Sequence, residues 1–163
     1  MAIRKYRNKR FESIAPKITM EDCDRIDDRL GMALRPDHSA FLAQVNGGVP
    51  LSPWFVMPKK SGRAPIRVDY FYAINAPEAS QDILETSRNI AEYMPPGCVP
   101  FAAAGEDILI ICCSGKWQNR IYVLPWMDAD SFYLTPDNHI FEFFWLFVEA
   151  MRVNEKNSSK KAK

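Results

Sequence analysis

The stretch from Asp37 to Gly48, which reads DHSAFLAQVNGG, constrains the fold more than any other part of the chain. Phe41, Leu42 and Val45 form an apolar stripe at helical spacing, and the stripe stops at Asn46-Gly47-Gly48. Asn and Gly accept positive φ at low steric cost, so they end helices and let the chain reverse. Pro36 supplies the start, because its fixed φ suits the first helical position, where a backbone N–H has no intrahelical partner. The pattern predicts a helix of roughly ten residues. After NGG the hydrophobic period changes to that of a strand. Trp54 to Met57 is a short apolar run between Pro53 and Pro58. Val68 to Ile74 then alternates, with Val68, Tyr70, Tyr72 and Ile74 on one face and Asp69, Phe71 and Ala73 on the other.

The flanking segments extend this order. Thr19 is a predicted N-cap, followed by Glu21 and Asp22 where the helix dipole favours anions. Cys23, Ile26 and Leu30 make one apolar face of that helix, and Gly31 ends it. Ser80 to Met94 reads as a helix with an apolar stripe through Ile83, Leu84, Ser87, Ile90, Ala91 and Met94, stopped by Pro95-Pro96-Gly97. Ile108 to Cys113 and Arg120 to Trp126 read as an antiparallel hairpin with a loop long enough to be mobile. Ile140 to Met151 reads as a helix that is apolar on nearly every side and therefore mostly buried. Together these elements predict one α+β domain whose sheet is mainly antiparallel and covered by helices.

The order of these blocks resembles the SUKH superfamily, which contains fungal cell-wall-synthesis regulators and many bacterial toxin-immunity proteins. A helix ending in NGG is followed by WFVM, VDYFYAI, a helix ending at Met94, CVPFA, ILIICC, IYVLPW and IFEFFWLFVEAM. The resemblance covers Thr19 to Arg152. It implies a twisted, mainly antiparallel sheet flanked by helices in a single domain. It also implies a non-catalytic protein-binding role, as an immunity protein that neutralises a polymorphic toxin, often a nuclease, or as a regulatory or scaffolding domain. Two loops depart from the family pattern. Ala103-Ala104-Gly105-Glu106-Asp107 stands where many members carry an acidic residue and a Gly-Gly-Asn-like turn, and Leu124-Pro125-Trp126-Met127-Asp128 stands where many carry a Trp-Asp pair.

Charge is segregated. The whole chain carries +1, yet residues 1–10 hold five basic groups and residues 152–163 hold five more against one Glu155. Between Phe11 and Met151 there remain 11 basic and 19 acidic residues, a net of −8. The expected organisation is a flexible basic arm over residues 1–15, the domain over 16–152 and a flexible basic tail over 153–163. The acidic body favours a basic protein partner, such as a toxin domain, and disfavours nucleic acid; the ends lack interleaved aromatics apart from Tyr6 and Phe11. Polarity and loop position nominate Asp24, Asp27, Asp28, Glu78, Asp82, Glu85, Glu106 and Asp107 as the partner-binding face. Trp117, in a polar loop between Lys116 and Gln118, has two readings: an interface anchor, or a ring folded back over the sheet edge.

Catalytic signatures do not appear. Cys23, Cys98, Cys112 and Cys113 form no C-x-x-C pair, and no histidine lies at ligand spacing, so buried inert thiols and no metal or cofactor are expected. Adjacent Cys112 and Cys113 on a strand should face opposite ways. His38 and His139, each preceded closely by an acid, read as surface or capping residues. The carboxylate pairs Asp27-Asp28, Glu106-Asp107 and Asp128 with Asp130 lie in polar surroundings and read as solvated surface. There is no phosphate-binding Gly loop, G-x-S-x-G elbow or H-E-x-x-H. No leader is visible, and the longest apolar block falls short of the about 20 residues a bilayer span needs, so a cytoplasmic location is expected.

Overall fold

The computed structural model describes residues 11–57 and 62–151. Residues 1–10, 58–61 and 152–163, which include most of the expected basic arm and the whole expected basic tail, lie outside the described residues.

Helix α1, Met20–Leu30, begins with a reciprocal cap: the Asp22 N–H donates to the Thr19 hydroxyl (3.2 Å), and the Thr19 N–H donates to the Asp22 carboxylate (2.8 Å). Helix α2 spans Pro36–Val45 and ends at Asn46, whose φ is 49°. Asn46 is buried, and its side chain closes a network. Its amide donates to the carbonyls of Pro16 (2.6 Å) and Ile74 (2.9 Å), and its oxygen accepts from the Ile74 N–H (2.9 Å). Gly47 follows with φ 74°, and a Cβ there would lie 2.6 Å from the Phe71 carbonyl oxygen. The NGG signal therefore does more than stop a helix: it lets the chain press against the strand at Tyr70–Phe71. Asn46→Ala should cost about 1–3 kcal/mol, because it strands three backbone groups in the core. Urea denaturation checks this, and a loss below about 0.5 kcal/mol would show that water replaces the amide.

The strands are β1 Phe11–Glu12, β2 Val49–Pro50, β3 Trp54–Phe55, β4 Ile66–Arg67, β5 Tyr70–Phe71, β6 Cys98–Ala104, β7 Asp107–Cys112, β8 Arg120–Leu124 and β9 Phe141–Glu142. Five of them form an antiparallel sheet in the order β5-β6-β7-β8-β9, and β1-β2 and β3-β4 form two small antiparallel ladders. The fold class is α+β. Pro100 sits beside a register shift in β6, where a missing ladder N–H is tolerated. Phe11 and Glu12, inside the stretch read as an arm, pair with Pro50 and Val49, and the Phe11 ring packs edge-on against Phe41 and Phe71.

Both faces of the main sheet are buried. One face (Val99, Phe101, Leu109, Ile111, Ile121) joins the core of α1, α2 and the C-terminal helix. The other (Cys98, Ile110, Cys112, Tyr122, Leu124) is covered by Ile90, Tyr93, Met94, Ala129, Phe132 and Leu134. Alternation sends Cys112 to one face and Cys113 to the other, as the strand period requires. All four cysteines are buried free thiols. Burial pushes Cys23 up to about 11 and Cys113 up to about 12, which keeps both protonated at neutral pH.

Several expected elements are shorter than their hydrophobic patterns. The run from Val68 to Ile74 is a strand only at β5; beyond it Tyr72, Ala73 and Ile74 are all buried, so the chain loses its solvent face. The helix expected over Ser80 to Met94 is a 3-10 turn, Ala79–Gln81, followed by helix α3, Ile83–Asn89. Asp82 divides them: it is extended, and its carboxylate accepts from the Leu84 and Glu85 N–H groups, which starts a new helix there. The last apolar block is also split. Phe141 and Glu142 pair with Ile121 and Arg120, Phe143 takes φ 66°, and helix α4 covers residues 144–151. The Trp145 N–H donates to the Asp37 carboxylate on α2 (3.0 Å), so an acid 108 positions away serves the orphan donors of this helix. Phe144, Phe147, Val148 and Met151 face the core, while Leu146 is 46% exposed. The helix is mostly buried, as expected, and Leu146 marks its one exposed position among residues 144–151; the expected helical start at Ile140 is replaced by the strand pairing of Phe141 and Glu142.

Candidate functional site

The 3-10 turn Ala79–Gln81 and helix α3 separate two clefts. The first, about 410 Å³, is lined by Tyr72, Ile90, Glu106, Ile108, Trp126 and Met127, among others. The second, about 520 Å³, is lined by Arg29, Asn75, Asp82, Leu84 and Glu85, among others.

The first cleft is built from three local structures. Gly105, at φ 62°, opens the tight turn between β6 and β7 and places Glu106 at its tip. The Gly105 N–H donates to the Asp69 carboxylate (2.6 Å), which pins the turn to the chain before β5. Beyond β8, Pro125 ends the strand and leads into the kinked 3-10 segment Trp126–Ser131. The Trp126 N–H points at the Asp107 carboxylate (3.4 Å), and the Trp126 ring meets Tyr93 edge-on at 5.9 Å. Ala129 is buried beneath the segment, while Trp126 is 46% and Met127 79% exposed. Burial also raises the Tyr72 phenol well above its ordinary value, so it stays neutral at the cleft floor.

The nominated acids divide between structural and surface positions. Asp82 is buried and accepts from three backbone N–H groups, those of Ala76 (3.2 Å), Leu84 (2.9 Å) and Glu85 (3.1 Å). Asp27 accepts from the Leu34 N–H (3.0 Å), and its partial burial raises its carboxyl above the usual range. Glu85 is ion-paired to Arg88 (2.8 Å) beside the second cleft. Asp24, Asp28, Glu78 and Glu106 are exposed. Asp24 and Asp28 belong to α1, which packs on α3, and Glu78 lies between Pro77 and Ala79, which line the second cleft. Glu106 lines the first cleft, and Asp107, next to it in the chain, is half-buried and faces the Trp126 N–H.

Trp117 stands apart. The loop between β7 and β8 is at the opposite end of the hairpin from Glu106, roughly 20 Å away at about 3.4 Å per residue along β7. Its ring is half-buried against the sheet, with Lys116 Nζ 4.6 Å and the Arg120 guanidinium 4.8 Å from its centroid. That is the folded-back arrangement. The large exposed hydrophobic side chains that do sit with the acidic turn are Trp126 and its neighbour Met127. Sequence reasoning treats Trp126 as the end of a strand; the usable signal is Pro125 ahead of it, since proline brings no N–H to a ladder and favours strand ends and irregularities.

The two histidines do not meet. His38 stacks on Phe144 (4.6 Å, 27°) on the α2 side of the sheet, and His139 lies near Tyr122 on the other side. His38 is buried rather than a surface or capping residue. His139 Nε2 lies 3.7 Å from the Glu142 carboxylate. Among the described residues, no group of three or more His, Cys, Asp or Glu is placed to hold a metal ion. Among them, too, no helix is long and apolar enough to cross a membrane.

The family model described as SMI1 / KNR4 family (SUKH-1) matches residues 17–144. The match runs from just before α1 to the first residue of α4 and includes both clefts. No curated protein matches the chain.

Proposed function

We propose, from the premise that this chain belongs to the SMI1 / KNR4 family (SUKH-1), that it is a non-catalytic protein-binding domain whose partner is a basic toxin domain that it neutralises. The observation that carries this reading is the distribution of charge in the segments around the first cleft. The segments 69–72, 79–92, 104–108 and 124–131 hold eight carboxylates against the single guanidinium of Arg88. A nuclease must present a basic surface to phosphates, and an acidic domain competes for that surface. Membership of this family also fits a regulatory or scaffolding domain for a cellular protein.

The test is kinetic. A basic toxin domain bound by affinity capture should associate faster as salt falls, because the Debye length grows from about 10 Å at 0.1 M to about 30 Å at 0.01 M. Reversing the exposed acids together (Asp24→Lys, Glu78→Lys, Glu106→Lys) should slow association about 10-fold at low salt and less at high salt. Asp82 is left alone, since its loss would unfold the start of α3. Deleting residues 1–10 should not weaken binding to a basic partner. An acidic partner, or an association rate indifferent to salt, would overturn the electrostatic account. A basic partner with no activity to quench would favour the scaffolding role.

A further inference from the structure

We infer that the groove walled by Trp126 and Met127 is the seat of one short cationic segment of the protein partner, an aromatic or aliphatic side chain flanked by Lys or Arg. This rests on the protein-binding reading above and assigns it a place and a chemistry. Tyr72, Ile90 and Ile108 give the groove an apolar floor beside Ser80, Thr86 and Asn89, and among the described residues Glu106 is its only charged lining residue. Further carboxylates surround it. Asp69 and Asp107 brace the turn that carries Glu106 and the N–H of Trp126, and Asp128 and Asp130 are exposed on the segment that carries Met127.

These features select the occupant. An apolar side chain is needed to cover Trp126 and Met127, since a large exposed aromatic beside a polarizable thioether gains most from burial. The carboxylates then reward a cation on either side of that side chain and disfavour nucleic acid, acidic peptides and anionic surfaces. They also disfavour the same face of a second copy. The Trp126 backbone contacts Asp107 (3.4 Å) and its ring packs edge-on on Tyr93 (5.9 Å), which restricts this wall of the groove before binding. That restraint lowers the ordering cost of Trp126 on association. The second cleft lacks this combination: it contains Arg29 and is lined largely by polar groups and small residues.

The probes are three short synthetic peptides: Lys alternating with Phe and Leu, the same peptide with Ser for Phe and Leu, and the same peptide with Glu for Lys. Binding to the full chain is followed by the Trp126 indole and Met127 methyl resonances, assigned with Trp126→Phe and Met127→Leu. The Lys-Phe-Leu peptide should move both signals. Its Kd should rise about 10-fold or more in the double variant Glu106→Lys, Asp128→Lys, which alters only exposed carboxylates, and should be unchanged in Trp117→Ser. Several outcomes overturn the inference: shifts confined to α1 or to Trp117, equal binding of the Ser or Glu peptide, or no binding of any peptide. Binding that appears only after residues 1–10 or 152–163 are removed would make the chain's own end the occupant, which also overturns it. A basic toxin domain bound equally well by wild type and by the double variant would remove the groove from the interface and leave the protein-binding reading standing. Failure of wild type to bind any basic protein, with the peptide shifts intact, would remove the toxin reading instead.

Discussion

Phe144→Ala is expected to destabilise the protein by about 3–5 kcal/mol, the range for truncating a fully buried aromatic. Phe144 has no exposed surface and stands at the centre of an aromatic cluster. It stacks on His38 at 4.6 Å and meets Phe41 at 5.2 Å, Phe101 at 5.6 Å and Phe71 at 6.2 Å. These partners come from α2, β5 and β6, so the cavity would open where the helices meet the sheet. Total stability of a domain this size is about 5–15 kcal/mol, and the variant should therefore express mostly in the insoluble fraction. Leu146→Ala, two positions along the same helix, is the control. With its side chain 46% exposed, it should cost under about 1 kcal/mol. Urea midpoints of the two variants decide the matter, and similar losses would mean that α4 is rotated from its described orientation.

Acid should destabilise the protein through His38. Burial with no compensating charge holds its imidazole down at about 3, against an ordinary value near 6.5. The native state therefore keeps His38 neutral, while the unfolded chain takes up a proton as pH falls below about 6.5. Stability is fully present above the unfolded value and is lost as pH falls from about 6.5 toward about 3. The slope approaches about 1.4 kcal/mol per pH unit, so about 2 kcal/mol should be gone by pH 5. Among the described residues no hydrogen bond reaches His38 Nδ1, so a phenyl ring can take its place without stranding a partner of that atom. His38→Phe should keep the stack on Phe144 and flatten the stability profile between pH 7 and about pH 5. Asp22, whose carboxyl is lowered first by its bond from the Thr19 N–H, adds acid sensitivity only at lower pH. A His38→Phe profile parallel to wild type would refute this assignment.

The order and type of most elements were legible in the amino-acid pattern. Thr19, Gly31, Pro36 and Asn46 act through their own backbone chemistry, so they marked helix ends without knowledge of the surroundings. The β7–β8 hairpin and the opposed faces of Cys112 and Cys113 followed from a two-residue period. The acidic body between basic ends required only counting. Tertiary structure decided the rest, because it depends on which surface each side chain meets. His38 carries the same local signature as a capping histidine, and only the approach of α4 makes it a buried ring. Asp82 looks like any surface acid until three N–H groups converge on it. Phe141 and Glu142 have helical neighbours and apolar partners, yet the open edge of β8 pairs them as a strand. Trp126 and Glu106 lie 20 positions apart and become neighbours because β7 and β8 return antiparallel to the same end of the sheet. Periodicity reports the local geometry that a chain prefers; burial, long-range capping and the composition of a groove are set by contacts between segments that sequence distance does not reveal.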